Sequence, residues 1–327
     1  MIRIGIMSFA HMHAYSYAAA LPQIPGATLA AVWDDNPARG RRAAKDHGVP
    51  FIAKQGDFLL GGLIDAVIIC SENAKHREHT EAAARAGLWV LCEKPIATTL
   101  PDARAMIASC ASRKVGLGIA FPCRFATPLI ETRERFRRGD LGKLVAAACT
   151  NNGQFPGGWF ADPKQSGGGA VMDHTVHVAD VLRWITGSEF TRVHCACGNL
   201  IQEDAETDDV GSLQLEMKNG ALVSHVASWD RPESFPTWGD LTLDLTGTKG
   251  ALRVDAFRQK VDVFSSAVGK GAWAGWGDDA NLALVRDFVE AVRDKRPPRA
   301  TGEDGLCALE VTLAAYRSAA TGKPVTL

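Results

Sequence analysis

The chain has 327 residues, of which 46% are apolar and 22% charged, and a formal net charge of -1. That length exceeds one ordinary core and predicts about two globular domains. The near-neutral balance gives no support to a nucleic acid or an anionic membrane as partner, and no apolar run approaches the roughly 18 residues of a membrane helix.

In chain order, Arg3–Met7 is predicted as a buried strand, too short for the apolar region of a signal peptide. A helix through Tyr15–Leu21 follows, then a strand Ala27–Trp33 closed by Asp34-Asp35-Asn36-Pro37 and a basic helix Ala38–His47. Ala66–Cys70 is a third strand, leading through Ser71-Glu72-Asn73 into a helix His76–Ala86. Leu88–Cys92 runs straight into Glu93-Lys94-Pro95, and Val115–Phe121 closes the unit. Short apolar runs alternating with helices predict a doubly wound parallel sheet, a dinucleotide-type domain over residues 1–121.

Residues 122–327 follow a different pattern. Helices are expected at Pro128–Arg138 and Ala170–Thr186, and alternating strands at Val193–Leu200, Asp209–Lys218, Ala221–Trp229, Leu241–Thr246, Ala251–Asp255 and Val261–Phe264. Asn219-Gly220 marks a hairpin, and Asn281–Arg293 and Asp304–Ala320 read as closing helices. This predicts an α+β domain with a large, mainly antiparallel sheet. The eight cysteines are scattered without a Cys-x-x-Cys pair. Free thiols in a reducing cytoplasm are therefore expected, not disulfides or a zinc centre.

A parallel sheet binds ligands beyond the carboxyl ends of its strands. Four stretches fall there: Ser8–His13, Asp34, Ser71–Asn73 and Glu93–Pro95. Asp34 can accept hydrogen bonds from an adenosine ribose, which favours NAD, although Arg39, Arg41 and Arg42 nearby can serve a 2′-phosphate and leave NADP open. The same Asp-Asp-Asn-Pro run is also good helix-cap chemistry. Lys94 can polarise a substrate oxygen, with Glu93 keeping it charged. On the helix after Gly167-Gly168-Gly169, Asp173, His177 and Asp180 stack an acid, an imidazole and a second acid on one face. Such a face can exchange a proton near neutral pH, or it can be an N-terminal aspartate followed by a core histidine.

Cys92-Glu93-Lys94-Pro95, then Asp162-Pro163 with Gly167-Gly168-Gly169, Asp173, His177 and Asp180, together with Asp209-Val210, Asn219-Gly220, Gly247-Thr248-Lys249-Gly250 and the tail from Thr301 to Val325, resemble the glucose–fructose oxidoreductase / inositol dehydrogenase (Gfo/Idh/MocA) family. The resemblance implies an N-terminal Rossmann domain holding NAD, with NADP possible. It implies a C-terminal domain that covers the cofactor and forms homodimers or homotetramers through its sheet. The activity implied is hydride transfer between nicotinamide and a secondary alcohol or ketone of a sugar, cyclitol or related polyol. Lys94 and His177 would handle the proton, with Asp173 holding substrate. Ser8, Ala10, His11, Met12, Asp34, Ser71, Asn73, His76, Glu93 and Lys94 would contact the cofactor, Asn73 and Glu93 at its nicotinamide ribose. Arg124, Trp159 and His174 would line the substrate pocket, the Lys94-Pro95 bond would be cis, and no metal ligand is implied.

One motif departs from the family. Its first loop should carry Gly-x-Gly-x-x-Gly or Ala at the last position, and here it reads Ser8-Phe9-Ala10-His11-Met12-His13. The glycines make the turn, admit the pyrophosphate and allow close helix packing, so a reshaped phosphate loop is expected, with His11 as a donor. Two alternatives follow. One is a non-catalytic ligand-binding or sensor protein with an eroded dinucleotide site. The other is a metal-dependent hydrolase or lyase using His11, His13, His174 and His177.

Overall fold

The structure is a computed structural model describing residues 1–202, 205–264, 271–275 and 277–327. Contacts divide the chain into two compact units, Met1–Pro122 with Ala280–Leu306, and Cys123–Asp279 with Cys307–Leu327. The sequence reading places its first boundary at residue 121; contacts also assign the helix Ala280–Asp294 to the first unit.

In the first unit the described residues form a five-stranded sheet of β1 (Ile2–Met7), β2 (Ala27–Trp33), β3 (Ala66–Ile69), β4 (Trp89–Glu93) and β5 (Leu117–Ala120). The order is β2-β1-β3-β4-β5, every pair parallel. β3 is buried at all four positions, as expected where helices cover both faces of a parallel sheet. The connecting helices are α1 (His13–Ala20), α2 (Pro37–His47), α3 (Gln55–Leu60), α4 (His76–Arg85) and α5 (Leu100–Ser112). Asn36 caps α2 by accepting from the amides of Ala38 and Arg39, with Pro37 in the first turn. Because β1 is followed by β2 on one side and neighbours β3 on the other, the chain reverses direction between β1 and β3. That is the switch point where an α/β sheet opens a ligand crevice.

The second unit is built on a seven-stranded sheet among the described residues. It contains α6 (Thr127–Arg138), β6 (Leu144–Gln154), α7 (Pro163–Ser166), α8 (Ala170–Thr186), β7 (Phe190–Gly198), β8 (Val210–Met217), β9 (Leu222–Arg231), β10 (Thr242–Gly247), β11 (Ala251–Asp255) and the short β14 (Val325–Thr326). β12 (Lys260–Phe264) and β13 (Gly271–Gly275) pair separately as an antiparallel ribbon. The main order is β11-β10-β6-β9-β8-β7-β14. All pairs are antiparallel except β6 with β9, which run parallel in the middle. Helix α8 packs on β9 and β6.

The helix α8 starts where it does for local reasons. Asp208 accepts the amides of Gly169 and Val171 through its two oxygens, doing from a distance what an N-cap side chain does. The Tyr316 hydroxyl donates to Asp208 Oδ1 at 2.7 Å and accepts from the amides of Gly169 and Met172 at 3.0 and 3.1 Å. A Cβ on Gly169 would lie 1.8 Å from the Asp208 carbonyl oxygen, and one on Gly168 2.3 Å from the Tyr316 hydroxyl. The glycine run is required by this close approach.

Most expected elements are present within a few residues at each end. β6, α3, α5, α7, β13 and β14 were not foreseen. Among the described residues, no helix is long and apolar enough to cross a membrane.

Candidate active site

At the carboxyl end of the first unit's sheet, Asp34 follows β2 and is buried. Its Oδ2 accepts from the Phe9 amide and Arg39 Nε, and its Oδ1 from the Asn36 amide and Arg39 Nη2, each at 2.8 Å. Four donors fill the lone-pair sites of the carboxylate. A ribose hydroxyl reaches it only by displacing one, and Arg39, a quarter exposed, is the movable one. Arg39 Nη2 also reaches Ser8 Oγ at 3.1 Å. Ser8 sits at φ 70°, so the backbone keeps the left-handed turn a glycine would normally supply.

The rest of that loop turns its amides inward. Ala10 N donates to Ser8 Oγ, His11 N to the Cys70 carbonyl and His13 N to His11 Nδ1. Across the crevice, at the end of β4, Glu93 is fully buried. Its Oε1 accepts from the Tyr17 hydroxyl at 2.6 Å and from His13 Nδ1 at 3.0 Å; its Oε2 accepts the Lys94 amide at 3.1 Å, with His11 Nε2 at 3.9 Å. Burial alone would raise the Glu93 carboxyl, but the His11 and His13 imidazoles and Lys94 outweigh it and hold the group well below the usual carboxylate range.

One nitrogen from each of the two imidazoles and a Glu93 oxygen lie within 4.8 Å of one another. The donor pattern argues against a metal there. His11 Nδ1 accepts an amide, so neutral His11 carries its proton on Nε2. His13 Nδ1 donates to the carboxylate. The nitrogens facing Glu93 are therefore donors, whereas a metal needs a bare nitrogen with its proton on the far side of the ring.

Ser71, Asn73 and His76 lie on the next loop and are buried. His76 Nδ1 donates to the Pro95 carbonyl at 2.9 Å and its Nε2 lies 3.2 Å from the Ser71 carbonyl. Burial lowers the His76 pKa, so the ring works as a neutral strut between the Ser71 loop and the Lys94–Pro95 turn. That peptide bond is cis, and Lys94 itself is buried.

In the second unit, Asp173, His174, His177 and Asp180 project from α8 and are all buried. Asp180 holds Arg124 in a two-pronged ion pair, Nε to Oδ2 at 2.7 Å and Nη2 to Oδ1 at 2.5 Å. His177 Nδ1 faces Cys123 Sγ at 3.8 Å. Asp173 Oδ2 accepts from Trp229 Nε1 at 3.1 Å and lies 3.1 Å from His174 Nε2. His174 Nδ1 donates to the Asn151 carbonyl at 2.5 Å. Both His174 nitrogens are thus committed to fixing Asp173 against β6. Trp159 stacks on Phe160 with centroids 3.8 Å apart, in an apolar cluster with Phe155 and Trp229.

Sequence reasoning missed Trp229, Tyr17, Asn151 and the Asp208–Tyr316 pair. Trp159 was expected at the substrate pocket, but Trp229 lies on a strand, where an inward tryptophan reads as core. Nothing in spacing joins Tyr17 to Glu93, 76 positions away.

A parallel sheet with an acidic residue at the end of β2, Glu-Lys-Pro at the end of β4, and an acid–imidazole helix on a second sheet defines the class of nicotinamide-dependent oxidoreductases. Comparisons agree. A family model described as an oxidoreductase family with an NAD-binding Rossmann fold matches residues 2–121, and one for a GFO/IDH/MocA C-terminal domain matches residues 129–253. A 1,5-anhydro-D-fructose reductase from Ensifer adhaerens is 30% identical over 310 residues, covering 91% of this chain and 90% of that protein. A myo-inositol 2-dehydrogenase from Thermotoga maritima is 28% identical, covering 100% and 98%. A solved structure of a probable dehydrogenase from Thermotoga maritima superposes with a TM-score of 0.86 at 26% identity, covering 99% and 98%. The chain belongs to the Gfo/Idh/MocA family of NAD-binding oxidoreductases.

Its residues fit the dinucleotide at both ends: a buried carboxylate at the β2 end and the Glu93–Lys94 pair at the β4 end. Between them the glycine cradle is replaced by side chains.

Proposed function

We propose that this protein oxidises a secondary alcohol of a sugar, cyclitol or related polyol, or reduces the matching ketone. The observation that supports it most is the face of α8, where Asp173 is fixed by Trp229 and His174 while His177 presents Nδ1 to Cys123. With Nδ1 so placed, Nε2 is the nitrogen assigned to proton transfer. NAD, when bound, takes or returns the hydride. His177 then accepts the hydroxyl proton during oxidation and returns it during reduction, with Lys94 holding the charge that develops on the substrate oxygen. Asp173, held through Oδ2 by Trp229 and His174, is assigned to a substrate hydroxyl. Arg124, immobilised by Asp180, and Trp159 supply polar and stacking contacts. The names of the relatives favour this reading over a non-catalytic sensor or a metal-dependent hydrolase or lyase.

Two further readings go with it. Each described cysteine is free, which suits a reducing cytoplasm. Leu222 and Val226 on β9 and Val145 on β6 are exposed apolar residues on strands of the large sheet, which suits a homodimer or homotetramer formed through it. The test is turnover against a panel of inositols, 1,5-anhydro-D-fructose and aldoses with NAD(H) and NADP(H). Lys94→Met and His177→Ala should each lower kcat by about 10²–10⁴-fold with unchanged circular dichroism. Wild-type turnover in both variants refutes the assignment.

A further inference from the structure

His13 stands where the family motif has its third glycine, at the start of α1. Its Nδ1 meets Glu93 at the end of β4 at 3.0 Å, with β3 lying between β1 and β4 in the sheet. That contact ties the loop after β1 to the end of β4 at the switch-point crevice along which a dinucleotide lies. Tyr17 and Glu93 beneath it are fully buried, whereas the His13 side chain is 28% exposed. It is the member of the cluster that meets the crevice.

The amides of Phe9, Ala10, His11 and His13 already donate inside the protein, so a pyrophosphate needs other donors. Because Nδ1 of His13 is committed to Glu93, Nε2 is the nitrogen turned away from the carboxylate. The groups around the ring are His11 from the same loop, with ring centroids 4.3 Å apart, Tyr17 from α1, and Glu93 with its neighbour Lys94 from β4. The buried carboxylate is the one anion against the ring among these partners.

We propose that His13 holds the cofactor's pyrophosphate through Nε2–H, with Glu93 and Tyr17 as its buried brace, taking the place of the missing glycine cradle. This inference rests on the oxidoreductase reading and adds to it a residue the glycine motif does not contain. A ring that donates from Nδ1 to Glu93 and from Nε2 to phosphate carries hydrogen on both nitrogens, so cofactor affinity carries a pH dependence that a backbone cradle lacks. A charge-assisted hydrogen bond to phosphate is worth about tenfold or more in affinity.

The experiment is fluorescence titration of NADH, with ADP-ribose and AMP as competitors, between pH 6.5 and 8.5. Wild type, His13→Ala and His13→Lys are compared. In wild type, NADH and ADP-ribose should bind more weakly as pH rises. His13→Ala should weaken both about tenfold at pH 6.5 and flatten the pH dependence, while AMP, which lacks the pyrophosphate, stays within about twofold. Retained AMP binding shows that the loop is folded. His13→Lys should restore affinity without the pH slope. Wild-type affinity for NADH in His13→Ala overturns the proposal, as does an equal loss for AMP. A wild-type protein that fails to bind NADH saturably overturns the oxidoreductase reading itself, a result distinct from either.

Discussion

Replacing Tyr316 by phenylalanine removes one oxygen and keeps the ring. That oxygen donates to Asp208 and accepts the amides of Gly169 and Met172. Gly169 retains Asp208 as an acceptor; Met172 loses the acceptor described here. A hydrogen bond to a charged acceptor contributes about 1.5–3 kcal/mol, and an amide stranded in the interior costs about 1 kcal/mol or more. Burial and the Asp208 charge push the Tyr316 phenol well above its ordinary pKa, so it remains a donor at every working pH. The expected loss is roughly 3 kcal/mol, a large share of a typical folding stability. Urea denaturation should show a lower midpoint with an unchanged slope. Because Asp173 lies one turn into the disturbed helix, kcat should fall as well, while NADH affinity, set in the first unit, should hold. A stability change below about 0.5 kcal/mol, the range of an ordinary surface substitution, refutes the view that Tyr316 organises the start of α8.

Trp229→Phe keeps the aromatic packing and removes the donor to Asp173; kcat/KM should drop about tenfold with little change in NADH binding, read by steady-state kinetics and titration. Gly169→Ala forces a methyl onto the Asp208 backbone and should cost about 2 kcal/mol or more in chemical denaturation. Burial lowers His225 to about 3 and His79 to about 4. Both rings stay neutral in the folded protein while the unfolded chain binds protons below about pH 6.5. Stability should be fully present above that pH and fall as pH drops toward those lowered values, by roughly 4 kcal/mol between pH 7.5 and 5. His225→Leu should remove about half of that slope.

The first unit was legible because its strands are short, mostly apolar runs closed by recognisable turns; Ala27–Trp33 matches residue for residue. β6 was not, although it lies at the centre of the second sheet. Its Leu-Val-Ala-Ala-Ala-Cys-Thr-Asn-Asn-Gly-Gln sequence has no aromatic residue and, among the β-branched ones that mark strands, just Val145 and Thr150, and small residues suit it because α8 packs against it. At the site, spacing put Asp173 and His177 on one helix face, and both lie buried on α8; Lys94 was singled out by its tripeptide, and the roles of all three are proposals. His174 was assigned to substrate by resemblance; its Nδ1 meets the Asn151 carbonyl and its Nε2 lies 3.1 Å from Asp173, contacts that no spacing announces. Contacts such as Tyr17 with Glu93 depend on which strands become neighbours, and no local pattern carries that.

The parallel pairing of β6 with β9 has a consequence for how such a protein can diversify. Two parallel neighbours must be joined by a crossover, and α8, with Asp173 and His177, belongs to the chain between them. The loops leaving the carboxyl ends of both strands, after Gln154 and Arg231, emerge side by side. Their lengths can change at little entropic expense without shifting the register that fixes the acid and the imidazole. Mutational drift in those loops can therefore reshape what the second unit meets while α8 stays where the central ladder sets it.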